Sequence, residues 1–486
     1  MGRVSGYWLA FAACAFAATV PLLVTDLLPM ADLPEHMAQI AIWKHYGEPC
    51  HRFSDMYEIR LATPYLLGSA VTAAIATATT VSVAVKWMVW LTIVLLPLSL
   101  RALLRRGDGD PWLSLLGFPL AFGYAFYWGF LNFALAIPIG IFLIASVLDT
   151  RSRWSVTAAL AILLLVAHAL MLVFCAAVAV AISLARRAPR SLLPLAPAAT
   201  LLAIFAFRLR DAEQPARAGV ITWKLSMTRF SDFPSVLFAN AWEPAGLVLV
   251  AAIVVAIALA RPRLTRDPAR WAPFGVAASL YLLVPHGAFG TAFLSPRFAV
   301  LAAAGALLVF DSKPGRGRVM SRIVVLSIAF IWMAILTDRF RQFGDEASEI
   351  EPLLARMAPN RRVAQFNVHP FSEHVPGPVF WHFGALYQVR RGGVAAWSFA
   401  RHYPNVVRFR PEGEPVVSSE STPVEGIDWP GVMQYDYLLV RGSDARRHVF
   451  RDAPVHLALL ARSGSWWLYE TPRARLSQRS CAPLNE

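Results

Sequence analysis

Long runs of apolar residues alternate with short polar segments from the N-terminus to about residue 338. A helix needs about 20 apolar residues to cross a bilayer, and several of these runs reach that length. The pattern therefore predicts an α-helical polytopic membrane protein with about 11 transmembrane helices. The predicted spans lie near residues 7–28, 84–104, 112–127, 130–148, 155–167, 169–185, 191–208, 244–260, 271–287, 297–310 and 321–337.

The positive charges indicate how these spans are oriented. Lys and Arg are enriched in the cytoplasmic loops of membrane proteins, and placing the basic clusters there puts the N-terminus in the cytoplasm and the C-terminus outside. The net charge of +14 is then a topology signal, so no nucleic acid is expected as a partner. The five clusters are Arg101, Arg105 and Arg106; Arg151 and Arg153; Arg186, Arg187 and Arg190; Arg261, Arg263, Arg266 and Arg270; and Lys313, Arg316, Arg318 and Arg322.

Three apolar stretches need a separate decision. Residues 7–28 lack a small-residue cleavage site, so we interpret them as an uncleaved span. Residues 64–81 are weakly apolar, and counting them as a span would invert the later basic loops, so we predict a helix along the outer leaflet. The first external loop then covers 26–83. A single span over 155–185 would bury His168 at the bilayer centre, so two short spans meeting at His168 are predicted.

The composition changes after residue 338, where no apolar run of membrane length follows. The segment "DEASEIEPLLARM" has helical spacing, whereas "RRVAQFNV", "VAAWSF" and "YDYLLVRG" are typical of strands. The segment "LALLARSGSWWLYE" predicts either a β-hairpin or a helix followed by a strand. We therefore expect a transmembrane domain, 1–338, followed by a small extracytoplasmic α/β domain, 339–486.

The segment "ADLPEHMAQIAIWKHY", residues 31–46, is unusually polar for its place after the first span. Asp32 and His36 are four residues apart and share one helix face, which Glu35 extends into a polar stripe. The opposite face is apolar, which predicts an amphipathic helix at the membrane surface. Asp32 has two interpretations: it caps the helix, with Pro34 and Glu35 in the first turn, or it is a general base.

The four cysteines are too few for a disulfide scaffold or a zinc ribbon. Cys14 and Cys175 fall in predicted spans. Cys50 and Cys481 both lie on the predicted external, oxidising side, where they either form a bridge or remain free thiols.

The arrangement of the whole chain resembles the membrane-integral glycosyltransferases of the GT-C fold. The features that carry the resemblance are Asp32 with "PEH" in the first external loop, the helix led by Pro64, and Lys86 at the start of the following span. Short motifs add to it, namely "WGFLNF" at 128–133, "AHAL" at 167–170 and "SPRF" at 295–298.

This resemblance implies transfer of a sugar from a polyprenyl-phosphate donor to a hydroxyl or amine on the external face, with inversion at the anomeric carbon. The base implied by the family matches Asp32. Asp26 is the competing assignment, since it also lies near the end of the first span. Some relatives of this fold have two adjacent acids in the first external loop. In this chain Asp32 and Glu35 are separated by two residues, so the resemblance alone does not decide which of them is the base.

A departing phosphate needs cations at the outer interface, and Arg suits it through its forked donors. Arg297 and Lys86 are the leading candidates, followed by Arg60, His168 and His286. The structural alternatives are that Arg297 and Lys86 only reach lipid headgroups and that His168 only packs between helices.

The sequence indicates no particular cofactor, and it does not decide whether the reaction needs a divalent metal. The segment "HPFSEH" and the histidines of the external domain, His369, His374, His382 and His402, lack the spacing of a metal site, so acceptor recognition or a lid is the better interpretation. The expected partners are the lipid-linked sugar, membrane lipids, and a glycan, lipid or protein acceptor of a bacterial cell envelope, at the inner membrane. A flippase for lipid-linked sugars and a non-catalytic assembly protein are the alternatives.

Overall fold

A computed structural model describes residues 6–211, 221–223, 227–238, 243–260, 262–288, 291–311, 317–401, 404–411, 413, 427–442, 450, 453–454, 457–476 and 484. The chain is mostly helical. The helices are α1 Gly6–Leu23, α2 Leu33–Lys44, α3 Phe53–Met56, α4 Leu66–Ala76, α5 Val81–Arg106, α6 Gly117–Leu120, α7 Tyr124–Tyr127, α8 Leu131–Leu148, α9 Trp154–Ala167, α10 Ala169–Arg186, α11 Ala196–Asp211, α12 Thr228–Phe238, α13 Glu243–Leu259, α14 Pro268–Leu283, α15 Ala299–Leu308, α16 Gly317–Ala347, α17 Glu351–Arg356, α18 Ala385–Arg391 and α19 Trp429–Val432.

The strands are β1 Tyr57–Ile59, β2 Arg263–Leu264, β3 Phe310–Asp311, β4 Arg362–Asn367, β5 Val394–Ala395, β6 Val407–Phe409, β7 Tyr437–Arg441, β8 Ala458–Ser463 and β9 Trp466–Glu470. Two compact units contain these elements. The helical unit comprises Met1–Pro21, Val89–Phe126 and Phe130–Leu336. The mixed unit comprises Leu22–Met88, Tyr127–Gly129 and Thr337–Glu486.

Six helical segments among the described residues are long and apolar enough to cross a membrane, and four shorter apolar helices accompany them. The six are Gly6–Leu23, Val81–Arg106, Leu131–Leu148, Ala169–Arg186, Pro189–Arg208 and Gly317–Arg356. The chain is therefore a multi-pass membrane protein, while the total of eleven spans stays a prediction. Within the helical unit α14 packs closely on α15, because Gly305 has no side chain and a Cβ there would lie 2.6 Å from the Phe274 nitrogen.

Two sequence interpretations have different outcomes in this unit. The helix α9 ends at Ala167 and α10 begins at Ala169, with His168 in an extended conformation between them, as predicted. The single span predicted at 112–127 is wrong: a 3₁₀ helix, Pro111–Leu116, is followed by the short helices α6 and α7. Pro119 lacks a backbone N–H, and Gly117 and Gly123 favour helix weakly, which explains the interruption.

A five-stranded sheet in the order β5-β4-β7-β9-β8 forms the centre of the mixed unit. The strand β4 is parallel to β5 and β7, whereas β9 is antiparallel to both β7 and β8. The predicted strands are thus present, and the last segment forms the β-hairpin. Apolar side chains from the strands pack with Val432 and Tyr435 into a buried core.

The predicted first external loop belongs to this same unit rather than to the helical unit. The strand β1 pairs antiparallel with β6, and α2 packs against α18. Ile42, Phe53 and Tyr57 of the loop share a core with Val394 and Val407. Cys50 is disulfide-bonded, whereas Cys14 and Cys175 are free thiols. Cys481, the predicted partner of Cys50, lies outside the described residues.

A buried ion pair joins the end of α16 to the end of β7. The Arg441 side chain is only 4% exposed, and it donates to Glu346 Oε1 at 2.5 Å and to the Phe371 carbonyl at 3.1 Å. Its guanidinium also lies 3.7 Å from the centre of the Phe380 ring. A buried charge is stable only when it is paired, so this contact fixes α16 against the sheet.

Replacing Arg441 by Met should destabilise the protein by about 3–5 kcal/mol, because Glu346 would lose its buried partner. The free energy of unfolding in detergent, followed by tryptophan fluorescence, measures the effect. Adding Glu346→Gln to Arg441→Met should restore part of the loss. The control is Arg341→Met, since that exposed side chain pairs with Asp338 on the surface. Equal effects of Arg341→Met and Arg441→Met would contradict the assigned role of the buried pair.

Candidate functional site

Asp32 lies at the N-terminus of α2, directly after the segment that enters the mixed unit. Its side chain makes no capping hydrogen bond to the helix, so the interpretation of Asp32 as a side-chain cap is wrong. The Oδ1 atom instead lies 3.5 Å from Nε2 of His382, and the carboxylate is 14% exposed. The acid is therefore available to contact a molecule from outside while held beside an imidazole.

A tight turn at Tyr127–Gly129 holds the backbone around Asp32. The Ala31 and Asp32 amides donate to the carbonyls of Tyr127 and Trp128 at 2.8 and 3.1 Å. Gly129 has a φ of +78°, and a Cβ at this position would lie 2.9 Å from the Asp32 nitrogen. Only glycine satisfies both conditions without strain. The "WGF" and "PEH" motifs are thus brought together by the fold.

His36 is linked to the same turn through its Nε2 atom, 3.0 Å from the Gly129 carbonyl. A carbonyl oxygen only accepts, so this nitrogen carries the hydrogen. Burial lowers the pKa of His36 below its ordinary value of 6.5, and the nearby Asp32 carboxylate opposes that shift only in part. His36 is consequently neutral at pH 7.

Aromatic rings surround the acid and the two imidazoles. The His382 ring stacks on Trp397 with centroids 4.0 Å apart. The Trp381 ring is parallel to the His382 ring, with centroids 5.7 Å apart. The Phe399 ring meets His36 edge-on at 5.3 Å. We refer to Asp32, His36, His382, Trp397 and Phe399 as the Asp32 cluster. The Asp32 cluster therefore combines a carboxylic acid, two imidazoles and the apolar ring faces of Trp397 and Phe399.

Glu35 has a different environment from Asp32. It is fully buried, and its Oε2 accepts the Phe399 amide at 2.7 Å. Gln39 is buried as well, together with Met37 and Ile40 of the opposite face. The prediction of an amphipathic surface helix is therefore wrong for α2, because α4 and α18 pack against it and cover both faces. The structure places Glu35 as an anchor for the 3₁₀ turn Phe399–Arg401.

The remaining predicted residues of the mixed unit lie in other contacts. Lys86 donates through Nζ to the Thr25 carbonyl at 2.6 Å, next to the exposed Asp26. Arg60 is about half exposed and pairs with Glu58 at 2.6 Å. Asp26 therefore has the environment of a surface acid, whereas Asp32 lies among imidazoles.

Three residues predicted to bind the phosphate are linked through aromatic residues in the helical unit. The Arg297 guanidinium lies 3.9 Å from the Phe130 ring centre and 5.4 Å from that of Phe133, and His168 meets the Phe133 ring at 5.2 Å. Arg297 Nε donates to the Phe293 carbonyl at 3.2 Å, and the Phe293 ring contacts His286 at 5.3 Å. We refer to Arg297, His168 and His286 with these rings as the Arg297 cluster.

Within the described residues no group of three or more His, Cys, Asp or Glu side chains is placed to hold a metal ion. His369 of "HPFSEH" lies against Arg441, with its Nδ1 3.3 Å from the guanidinium. His402 lies outside the described residues. Sequence reasoning singled out His382 only as one of several histidines, although the aromatic stretch "FWHFGALY" around it was a signal. It missed the roles of Trp397 and Phe399.

Two solved structures of ArnT from Cupriavidus metallidurans share the fold of this chain. The structure of ArnT bound to undecaprenyl phosphate superposes with a TM-score of 0.54 at 12% identity, covering 96% of this chain and 98% of that chain. The apo structure gives a TM-score of 0.51 at 14% identity, covering 98% and 99%. The GT-C fold predicted from the sequence is thereby confirmed. No protein-family model and no curated protein sequence matches the chain.

The lowered pKa of His36 predicts how stability depends on pH. As the pH falls below 6.5, the unfolded chain binds a proton at His36 more readily than the folded protein does, so the folded state loses stability. Replacing His36 by Gln, whose amide still donates to Gly129, should flatten the decrease of the melting temperature as the pH falls below about 6.5. His374→Gln is the control, and an unchanged pH profile in His36→Gln would contradict the assignment.

Proposed function

We propose that this protein is an integral-membrane glycosyltransferase. It would transfer a sugar from a polyprenyl-phosphate donor to a hydroxyl or amine of a cell-envelope acceptor, on the external face of a bacterial inner membrane. The observation that carries the proposal is the Asp32 cluster, an accessible carboxylate beside two imidazoles, at the start of the external loop of a GT-C fold. The undecaprenyl phosphate bound to ArnT supports a carrier of this lipid class.

In the proposed reaction Asp32 accepts the proton of the acceptor group as that group attacks the anomeric carbon. The new bond from the acceptor to carbon forms while the bond from carbon to the phosphate oxygen breaks, and the phosphate leaves with the electron pair. Attack from the side opposite the phosphate inverts the anomeric centre. The products are the glycosylated acceptor and polyprenyl phosphate, and the proton resides on Asp32 until it passes to water.

The surroundings of Asp32 suit this role. His382, at 3.5 Å, orients the carboxylate and stabilises its charge when its Nε2 carries a hydrogen. His36 is neutral and held by the Gly129 carbonyl, so it forms no fixed ion pair with Asp32. The apolar faces of Trp397 and Phe399 offer a surface on which the apolar side of a sugar ring can pack.

We assign the donor phosphate to cations rather than to this acid. A phosphate group requires several donors, and a guanidinium supplies two in parallel. Arg297 is the leading candidate, because Phe130 and Phe133 restrict its orientation. Lys86 is the second, since its ammonium is already positioned by Thr25. His168 and His286 would support Arg297, and the ion pair with Glu58 makes Arg60 the weakest candidate.

Replacing Asp32 by Asn should reduce kcat by about 100-fold or more, in the range of a lost general base. Purified protein would be given polyprenyl-phosphate sugars carrying a labelled sugar, together with envelope extract, and conversion of the labelled donor into other labelled products would be measured. Asp26→Asn is the matched control and should retain activity. Movement of the intact labelled lipid between leaflets without sugar transfer would favour the flippase alternative. Full activity in Asp32→Asn, with the wild-type melting temperature, would refute the mechanism.

Replacing Arg297 by Gln should raise the KM for the donor by about 10-fold or more, because a charged hydrogen bond contributes roughly 1.5–3 kcal/mol. The same labelled-lipid assay at varied donor concentration separates KM from kcat. Arg60→Gln removes an equal charge from a surface ion pair and should leave both constants near the wild-type values. If the KM for the donor stays unchanged in Arg297→Gln, this arginine does not bind the donor.

A further inference from the structure

A cavity of about 530 Å³ in the helical unit is lined by arginines of two of the basic clusters. It lies where the start of α1, the end of α5, the segment 107–112 and the start of α16 come together. Its volume is within the range of small-molecule sites, roughly 300–1,000 Å³. The residues that matter for its chemistry are Arg101, Arg105, Arg318 and Arg322, with Asp108 and Asp110.

The cavity has an excess of positive charge. Four guanidinium groups line it against two carboxylates. The Asp110 carboxylate already has partners within the protein: it accepts the Trp112 amide at 3.1 Å and lies 3.9 Å from Arg322. A concave site lined by an excess of one sign of charge attracts ligands of the opposite sign, so an anionic ligand suits this arrangement.

Aromatic rings hold Arg101 and Arg322 in place, and Arg322 also lies near Asp110. The Arg101 guanidinium lies 4.7 Å from the Tyr7 ring centre and 4.6 Å from that of Trp8, and Arg322 lies 4.8 Å from the Trp112 ring centre. The Nε atoms of both arginines are buried and have no hydrogen-bond partner among the described residues. The rings thus orient two guanidinium groups, and the paired donors of a guanidinium suit phosphate oxygens.

The position of the cavity favours a lipid over a soluble anion. It lies at the ends of the apolar helices α1 and α5. Trp8, which contacts Arg101, and the next residue, Leu9, are exposed. Trp and Tyr at helix ends are typical of the membrane interface. Basic pockets between transmembrane helices on the cytoplasmic side are suited to anionic headgroups.

We propose that this arginine cavity binds the headgroup of a phospholipid with two phosphates, of the cardiolipin class, in the leaflet predicted to be cytoplasmic. Two phosphate groups match the excess of two positive charges. One phosphate would contact Arg101 and the other Arg322, while the acyl chains lie along the apolar surface near Leu9. This binding is independent of the sugar transfer proposed above.

Native mass spectrometry of the purified full-length protein in mild detergent tests the proposal. Cardiolipin should bind at least about 10-fold more tightly than phosphatidylglycerol, which has one phosphate, and phosphatidylcholine should not bind specifically. The double variant Arg101→Gln/Arg322→Gln should lose about 10-fold or more of the cardiolipin affinity. The matched control Arg151→Gln/Arg153→Gln removes the same charge from exposed positions of another basic cluster and should bind like the wild type.

Three outcomes would overturn the proposal. The first is equal cardiolipin affinity in the cavity variant and the wild type, and the second is an equal loss in the control variant. The third is displacement of cardiolipin by inorganic pyrophosphate at similar concentration, which would identify a site for soluble phosphates. If the Gln variant does not fold, Arg101→Lys/Arg322→Lys keeps the charge without the planar fork. It should still weaken binding by about threefold, and unchanged binding there would also contradict the proposal.

Discussion

The buried carboxylate of Glu35 is the contact on which the arrangement around Asp32 depends. Burying an acid is costly unless it is hydrogen-bonded, and the fully buried Glu35 accepts the Phe399 amide through Oε2. That bond fixes the 3₁₀ turn at Phe399 against α2. The Phe399 ring then lies on His36, and Trp397, two residues earlier, stacks on His382. One short segment, "DLPE", therefore supplies both an accessible acid and the buried acid that positions its surroundings.

Much of the fold follows from local sequence. The break between α9 and α10 was predictable because an imidazole at the centre of a span is costly. The strands β4 and β7 were predictable from short runs of β-branched and aromatic residues. In each case the decisive property belongs to a few neighbouring residues, so no knowledge of distant contacts is needed.

The site was predictable only in part, because its geometry comes from residues far apart in the chain. Asp32 and His36 were recognisable from their spacing and position. The role of Glu35 was not, since its partner Phe399 is 364 positions away and the helix pattern alone treats it as a solvated polar residue. The same holds for His382 and Trp397, which have no local signature of function. The interruption of 112–127 was missed because apolar composition outweighed the effect of Pro119 and two glycines.

The pairing of β1 with β6 has a consequence for biosynthesis. Arg410, next to β6, donates to the carbonyl of Tyr57 in β1 at 3.1 Å across 353 positions of sequence. Almost all the membrane-spanning helices lie between these two strands. The early loop that carries Asp32 also contains β1. This strand can pair with β6 only after the C-terminal segment has been translated and lies on the same side of the membrane. A chain in which one intervening helix failed to cross the membrane would leave β6 on the opposite side, so this small sheet forms only when β1 and β6 lie on the same side.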